Sequence, residues 1–297
     1  MARHILSIKS LGEKASWLLV QQALGMPEPK MQSDFMAQRV ALLMFSQHSL
    51  PERLCVSAAV RQMGGAVVYE GNRGSWRTEM SDYQEQLLPV FSYYIDCLYM
   101  YGMPVGGWDM EASCLRFPLI NAGSPDAHPA HALADIACML RNSRYLNGVS
   151  CGWMGCVNGT LHSLIEATAW FPFALRVALP SRSDAGPLKE TVARLGTPVT
   201  FVDSPEEAVR GANYVFAGCR SGLTDEERAH WRVGPELLAK AAPDVHLMLS
   251  ASPVAAIGVD DAILASKASL LVQQAEYRLR VHKRMLHWVF LDNETGI

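Results

Sequence analysis

Short continuous apolar runs alternate with amphipathic stretches along the whole chain. VALLMF (Val40–Phe45) is an apolar run of the kind buried on both faces, and AVVYEG, IDCLYMYG and FPLINAG repeat it. Between these runs the spacing predicts helices. In the first, Ser10 and Glu13 read as a capping box, Trp17, Val20 and Leu24 share one face, and Gly25 closes it before Pro27 and Pro29. A helix over 51–63 opens on Pro51 and stops at Gly64-Gly65; another takes Ser81 as its N-cap, and PAHALADIACMLR opens on Pro129.

The second half keeps the rhythm. SCGWMG, ALRVALP, PVTFV, NYVFAG and VHLMLS read as strands. HSLIEATAWF, PLKETVARLG, SPEEAVRGA and a single long TDEERAHWRVGPELLAKA read as helices, with a closing helix over 273–291. Regular β/α alternation predicts two doubly wound parallel-sheet α/β domains. The expected hinge lies at 141–147. The first domain then spans 1–142, completed by the closing helix, and the second spans 143–272. Ligands in such sheets sit beyond the carboxyl ends of strands, so SQHSLPER, EGNRGSWRTE, NAGSPDAHPAH, GWMGCVNGT, GCRSG and SASPVAA carry the most weight.

Composition narrows the functions. At 297 residues, with 49% hydrophobic and 19% charged residues, the chain can fill full cores. Lys plus Arg number 26 against 29 Asp plus Glu, leaving no cationic surplus for nucleic acid. The uncharged run 145–165 is too rich in Gly and Asn for a membrane span, and the first ten residues carry no secretory pattern. Seven scattered cysteines without a C-x-x-C pair suit a reducing cytoplasm, with neither disulfide scaffold nor structural zinc.

Several loops carry chemistry. GWMGCVNGT has the wrong glycine spacing for a dinucleotide loop and reads as a tight turn. His128 and His131 lie three apart at a helix start and share one side of its first turn, suiting proton handling or carbonyl polarisation. As metal ligands the two lack a third, Asp126 being the only candidate nearby, so no metal is expected. SLPER presents a helix N-terminus capped by Ser49 with Arg53 in its first turn, an anion site compromised by Glu52. The basic stretch RLRVHKRMLHW could lie on a membrane or partner groove, but Leu279, Val281, Leu286 and Val289 make a packed terminal helix the commoner outcome.

Five of these segments, in order, resemble the aspartate/ornithine carbamoyltransferase family. HILSIKSLGE is similar to the family's opening segment, and ALLMFSQHSLPERLCVSAAVRQMGGAVVY to its strand, Ser-Thr-Arg-Thr-Arg loop and helix. LINAGSPDAHPAHALADI resembles its His-Pro-x-Gln-x-Leu-x-Asp segment and GCVNGTLHSLIEA its Gly-Asp-x-Asn-Asn turn. ASLLVQQAEYRLRVHKRML resembles its closing Gln-Ala-Glu-Asn-Arg helix, which returns to the first domain.

The resemblance implies transfer of a carbamoyl or related acyl group to an amino-acid-like amine, in a cleft between domains and in a cytoplasmic homotrimer with shared sites. Catalytic roles then fall to His128 and Arg278, with His131 and Glu52 as new proton acceptors or amine binders. Substrate contacts fall to Ser49, Arg53, Tyr101, Asn158 and Gln274, to Arg220 at a carboxylate-binding position, and to Arg77 reaching a neighbouring subunit. No cofactor is implied. The pattern departs at Pro51 and Glu52, which stand for the first phosphate Arg and the adjoining Thr. It departs also at Tyr101 for a carbonyl-binding Arg, His131 for Gln, Cys156 for Asp, Gly159 for Asn and Gly218 for an acidic residue, and LSASP replaces the late His-Cys-Leu-Pro loop. These losses imply changed donor or acceptor specificity, as in specialised biosynthesis; the second reading is a non-catalytic homologue kept as a binding or assembly partner.

Overall fold

The structure, a computed structural model, describes residues 2–70, 90–104, 115–218, 223–250 and 258–291. The chain divides into two compact units: Met1–Ala134 with Glu276–Ile297, and Asp135–Ala275. Each carries its own wholly parallel sheet, as the β/α rhythm predicts.

The first unit contains α1 (Ile8–Leu11), α2 (Glu13–Leu24), β1 (Val40–Phe45), α3 (Leu50–Gln62), β2 (Ala66–Glu70), β3 (Cys97–Tyr101) and β4 (Leu119–Gly123), in sheet order β2-β1-β3-β4. Chain order reverses between β1 and β3, and the loops beyond their carboxyl ends are where an open sheet accepts ligands. Central β3 is buried over Cys97–Met100 because its side chains are apolar on both faces; Val68 and Tyr69 of edge strand β2 are exposed. The start of the chain is corrected by the structure. Ser7 and Ser10 form the capping box of α1, and Gly12, at φ +81°, separates that turn from α2, so Ser10 does not cap Glu13.

The closing helix, α11 (Leu271–Phe290), joins this unit from Glu276 onward. Its basic residues work inside the fold. Arg280 donates to the carbonyls of Ala23 (3.3 Å) and Met26 and to Glu276 Oε1 (2.6 Å); Lys283 donates to Pro29 (2.8 Å) and Met31 (2.7 Å). These carbonyls lie where α2 ends and the prolines begin. Val281, Met285 and Leu286 are buried beside them. Among the described residues no helix is long and apolar enough to cross a membrane.

Helix α4 (Pro129–Ser143) carries the chain into the second unit, followed by β5 (Val149–Met154), α5 (Gly159–Ala167), β6 (Phe173–Ala178), α6 (Gly186–Leu195), β7 (Val199–Val202), α7 (Pro205–Val209), β8 (Tyr214–Ala217), α8 (Asp225–His230), α9 (Pro235–Leu238), β9 (His246–Leu249) and α10 (Asp261–Leu264). The sheet order is β7-β6-β5-β8-β9. Helix α7 lies so close on β5 that a Cβ at Gly152 would stand 2.4 Å from Ala208 O, so only glycine fits there. The single helix expected over TDEERAHWRVGPELLAKA is two, α8 and α9. Val233 leaves the helix to bridge with Val259, and Gly234-Pro235 starts the next turn. The helix expected to start at Ser81 lies outside the described residues.

Candidate functional site

The chemistry converges beyond the strand ends of the first unit. Between β4 and α4 the chain must turn and deliver His128 at a helix start. Buried Asn121 organises that turn: its Nδ2 donates to Leu6 O (2.8 Å) and Ala127 O (3.1 Å), and its Oδ1 accepts from Gly123 N (2.9 Å). Ser124 Oγ accepts from Ala127 N (2.9 Å) and lies 2.6 Å from Asp126 Oδ1. Asp126, the one nearby candidate for a third ligand to the two histidines, is part of the turn. Gly123, at φ +136°, clears space for an imidazole, since a Cβ there would meet His128 Nε2 at 2.5 Å. Neither Asn121 nor Ser124 stood out in the sequence, although an Asn inside an apolar strand running into Gly-Ser is the signal.

The loop beyond β1 supplies the partner. Ser49 occupies the N-cap of α3 without a side-chain cap bond, and Pro51 stands in the first turn. Glu52 is only 3% exposed, turned inward from the same turn. Its Oε1 lies 2.8 Å from His131 Nε2. The His131 ring stacks on His128 with centroids 3.5 Å apart and planes 15° from parallel. Tyr101, at the end of β3, stacks on Phe45 (4.9 Å) and meets the His128 ring edge-on (6.5 Å).

Electrostatics favour the neutral form of both histidines. Burial is the main cause that pushes His128 and His131 well below the ordinary imidazole range; for His128 the facing His131 adds to it, and Arg278 and His282 press both the same way. Glu52 pulls His128 upward without reversing the sign. A neutral His131 facing a carboxylate acceptor carries its proton on Nε2, leaving the Nδ1 lone pair open. Burial likewise pushes the Cys55 thiol up to about 12, Glu52 adding and Arg278 opposing, and raises the Tyr101 phenol. His282, fully buried beside Tyr99 (rings 5.8 Å apart), is lowered to about 4. The charges of Glu52 and Arg278 are thus both felt at Cys55, His128 and His282.

The remaining expected residues divide. Arg53 lies over the Tyr69 ring, 4.7 Å from its centroid. Asn158 caps α5, accepting from Leu161 N (3.1 Å) and donating to Ser250 O (3.2 Å). Gln274 is fully buried, donating to Asp135 Oδ1 (2.7 Å) and Leu249 O (3.1 Å) and accepting from Leu249 N (2.9 Å). Both amides are bonded inside the second unit, beside the substrate contacts that the resemblance implies for them. Arg77, Arg220 and the end of LSASP beyond Ser250 lie outside the described residues.

One donor atom from each of Glu52, His128 and His131 lies within 4.8 Å of the others, all three residues buried. The site therefore offers two neutral imidazoles, a carboxylate and a guanidinium charge, a set able to polarise a carbonyl, move a proton or hold a cation.

Comparison with known proteins bears on the family and the fold. Residues 3–141 match the family model for the aspartate/ornithine carbamoyltransferase carbamoyl-P binding domain, and residues 147–289 match that for the Asp/Orn binding domain. The ornithine carbamoyltransferase of Nitratidesulfovibrio vulgaris is 27% identical over 301 residues, covering 98% of this chain and all of the relative; that of Brucella suis is 27% identical over 269 residues, covering 88% and 86%. Among solved structures, ornithine carbamoyltransferase from Thermus thermophilus shares the fold with a TM-score of 0.88 at 21% identity, over 98% of this chain and 100% of that one. The Burkholderia thailandensis enzyme gives 0.86 at 23% identity, over 97% and 99%. With both domain models matched in order along nearly the whole chain, the chain belongs to the aspartate/ornithine carbamoyltransferase family.

Proposed function

We propose that the protein transfers a carbamoyl or related acyl group to the amine of an amino-acid-like acceptor, from a donor other than ordinary carbamoyl phosphate. The observation that carries this reading is Glu52, buried in the first turn of α3 and bonded to His131. In the family's pattern that turn holds a phosphate with Arg and Thr; here it presents Pro51 and a carboxylate. Two unit charges 4 Å apart interact by about 4 kcal/mol at an effective dielectric of 20, and each 1.4 kcal/mol is about tenfold in affinity. Losing a cation and gaining an anion in one turn therefore disfavours a phosphate dianion by orders of magnitude.

His128 and Arg278 keep the means to polarise a carbonyl oxygen. The acceptor nitrogen bonds to the carbonyl carbon, the donor's leaving group departs with its bonding pair, and the nitrogen's proton passes to the Glu52–His131 side. The homotrimer implied by the resemblance is supported by the exposed Leu50, Leu54, Val68 and Tyr69 around α3 and the sheet edge, and a cytoplasmic setting by the free thiols of Cys55, Cys97 and Cys151. The test is a coupled screen of acyl and carbamoyl donors against amino-acid amines with mass-spectrometric detection. A product lost in both His128→Ala and Arg278→Ala supports the reading. Equal turnover of wild type and both variants overturns it.

A further inference from the structure

We propose that Glu52, His128 and His131 form a binding site for a divalent transition-metal ion, with two imidazole ligands and one carboxylate. The inference rests on the altered-donor reading and changes it in one respect: with an ion bound, His128, His131 and Glu52 would hold the ion, and the ion would polarise the carbonyl in place of His128. Glu52 and His131 come from the first turns of α3 and α4 and His128 from the residue just before α4, and each is at least nine-tenths buried. Their donor atoms lie within 4.8 Å of one another. Ligands sharing one ion at bonds of about 2.0–2.2 Å stand no more than about 4.4 Å apart, so a contraction of a few tenths of an ångström closes the site. The stacked rings must also turn about χ2, because parallel imidazoles aim their lone pairs side by side.

A second observation points the same way. Glu52 Oε2 and His131 Nδ1 are buried and have no hydrogen-bond partner among the described residues. An unprotonated carboxylate oxygen or imidazole nitrogen is an acceptor, so what satisfies either is a donor or a cation. Mixed nitrogen and oxygen ligands favour zinc, cobalt, manganese or iron(II) over magnesium or calcium, which take oxygen alone. Three protein ligands leave coordination positions for a substrate oxygen or water. Arg278 is the opposing charge: its field reaches both histidines, so it competes with the ion.

The test uses the full-length protein stripped with a chelator, titrated with zinc by calorimetry and with cobalt(II) by absorption. The expected result is one ion per chain with Kd below about 10 μM. His131→Gln and Glu52→Gln should each weaken binding by about 100-fold or more, while Arg278→Gln should tighten it. Circular dichroism establishes that the variants fold. Should one not fold, the wild-type cobalt spectrum decides: ligand-field bands without a thiolate charge-transfer band support the site. No saturable binding, a thiolate band, or unchanged affinity in folded variants overturns it. If metal binding fails while carbamoyl phosphate is still refused, the altered-donor reading survives and only the metal site is lost.

Discussion

His131 Nε2 and Glu52 Oε1 meet at 2.8 Å across 79 residues of chain, and both residues are buried. Each stands where the family pattern has another residue, Gln and Thr, so two departures from one pattern have become partners. Removing either alone should leave the other polar group buried without its bond, destabilising the fold by roughly 1–3 kcal/mol. The double variant E52T/H131Q should cost less than the sum of the single ones. Urea unfolding of the four proteins measures this, and strict additivity would show that the two side chains do not interact.

Gly123 makes room for the site. Gly123→Ala puts a methyl 2.5 Å from His128 Nε2 at a backbone φ of +136°. The strain and overlap should cost roughly 2–4 kcal/mol and displace His128. Loss of activity without loss of stability at this position would contradict the packing argument.

Gln274 fastens the end of β9 to α4 through Leu249 and Asp135. Gln274→Leu fills the space but breaks all three bonds, so a loss of roughly 2–4 kcal/mol is expected, with thermal unfolding as the readout. A stability change within experimental error would return Gln274 to the substrate-binding role expected from the sequence.

Stability should fall in mild acid, and His282 is one cause. Its folded pKa of about 4 lies below the unfolded value of 6.5; burial is the main reason, Arg278 adds to it, and Glu52 opposes. Only the unfolded chain takes up the proton between those values, so the contribution is present above pH 6.5 and is lost as pH falls towards 4. Its full size is about 3 kcal/mol. His128 and His131 shift in the same direction and add to the slope. Urea midpoints between pH 7.5 and pH 4.5 should fall less steeply in His282→Leu; parallel profiles would remove His282 from the account.

The fold was legible because parallel strands announce themselves as apolar runs: Val40–Phe45 and Leu119–Gly123 are read directly from hydropathy. Short-range detail was less so. The capping box moved from Ser10–Glu13 to Ser7–Ser10 because the chain reverses at Gly12, and Val233 broke a helix through a bridge to distant Val259. At the site, His128 and His131 were visible from their spacing. Glu52 as their partner was not, because no local signal tells that the turns after β1 and β4 converge. Asn158 and Gln274 carry a substrate-binding expectation from motif position, but the bonds they make inside the second unit have no local sequence signal.

The central claim is that a phosphate-holding turn has exchanged its charge at Pro51 and Glu52. Calorimetric titration of carbamoyl phosphate into the wild type and into the double variant P51R/E52T tests it most directly. The account predicts no wild-type binding at micromolar concentrations and a gain of about 100-fold or more when cation and hydroxyl are put back. Micromolar binding by the wild type, or no gain in a folded double variant, would contradict it.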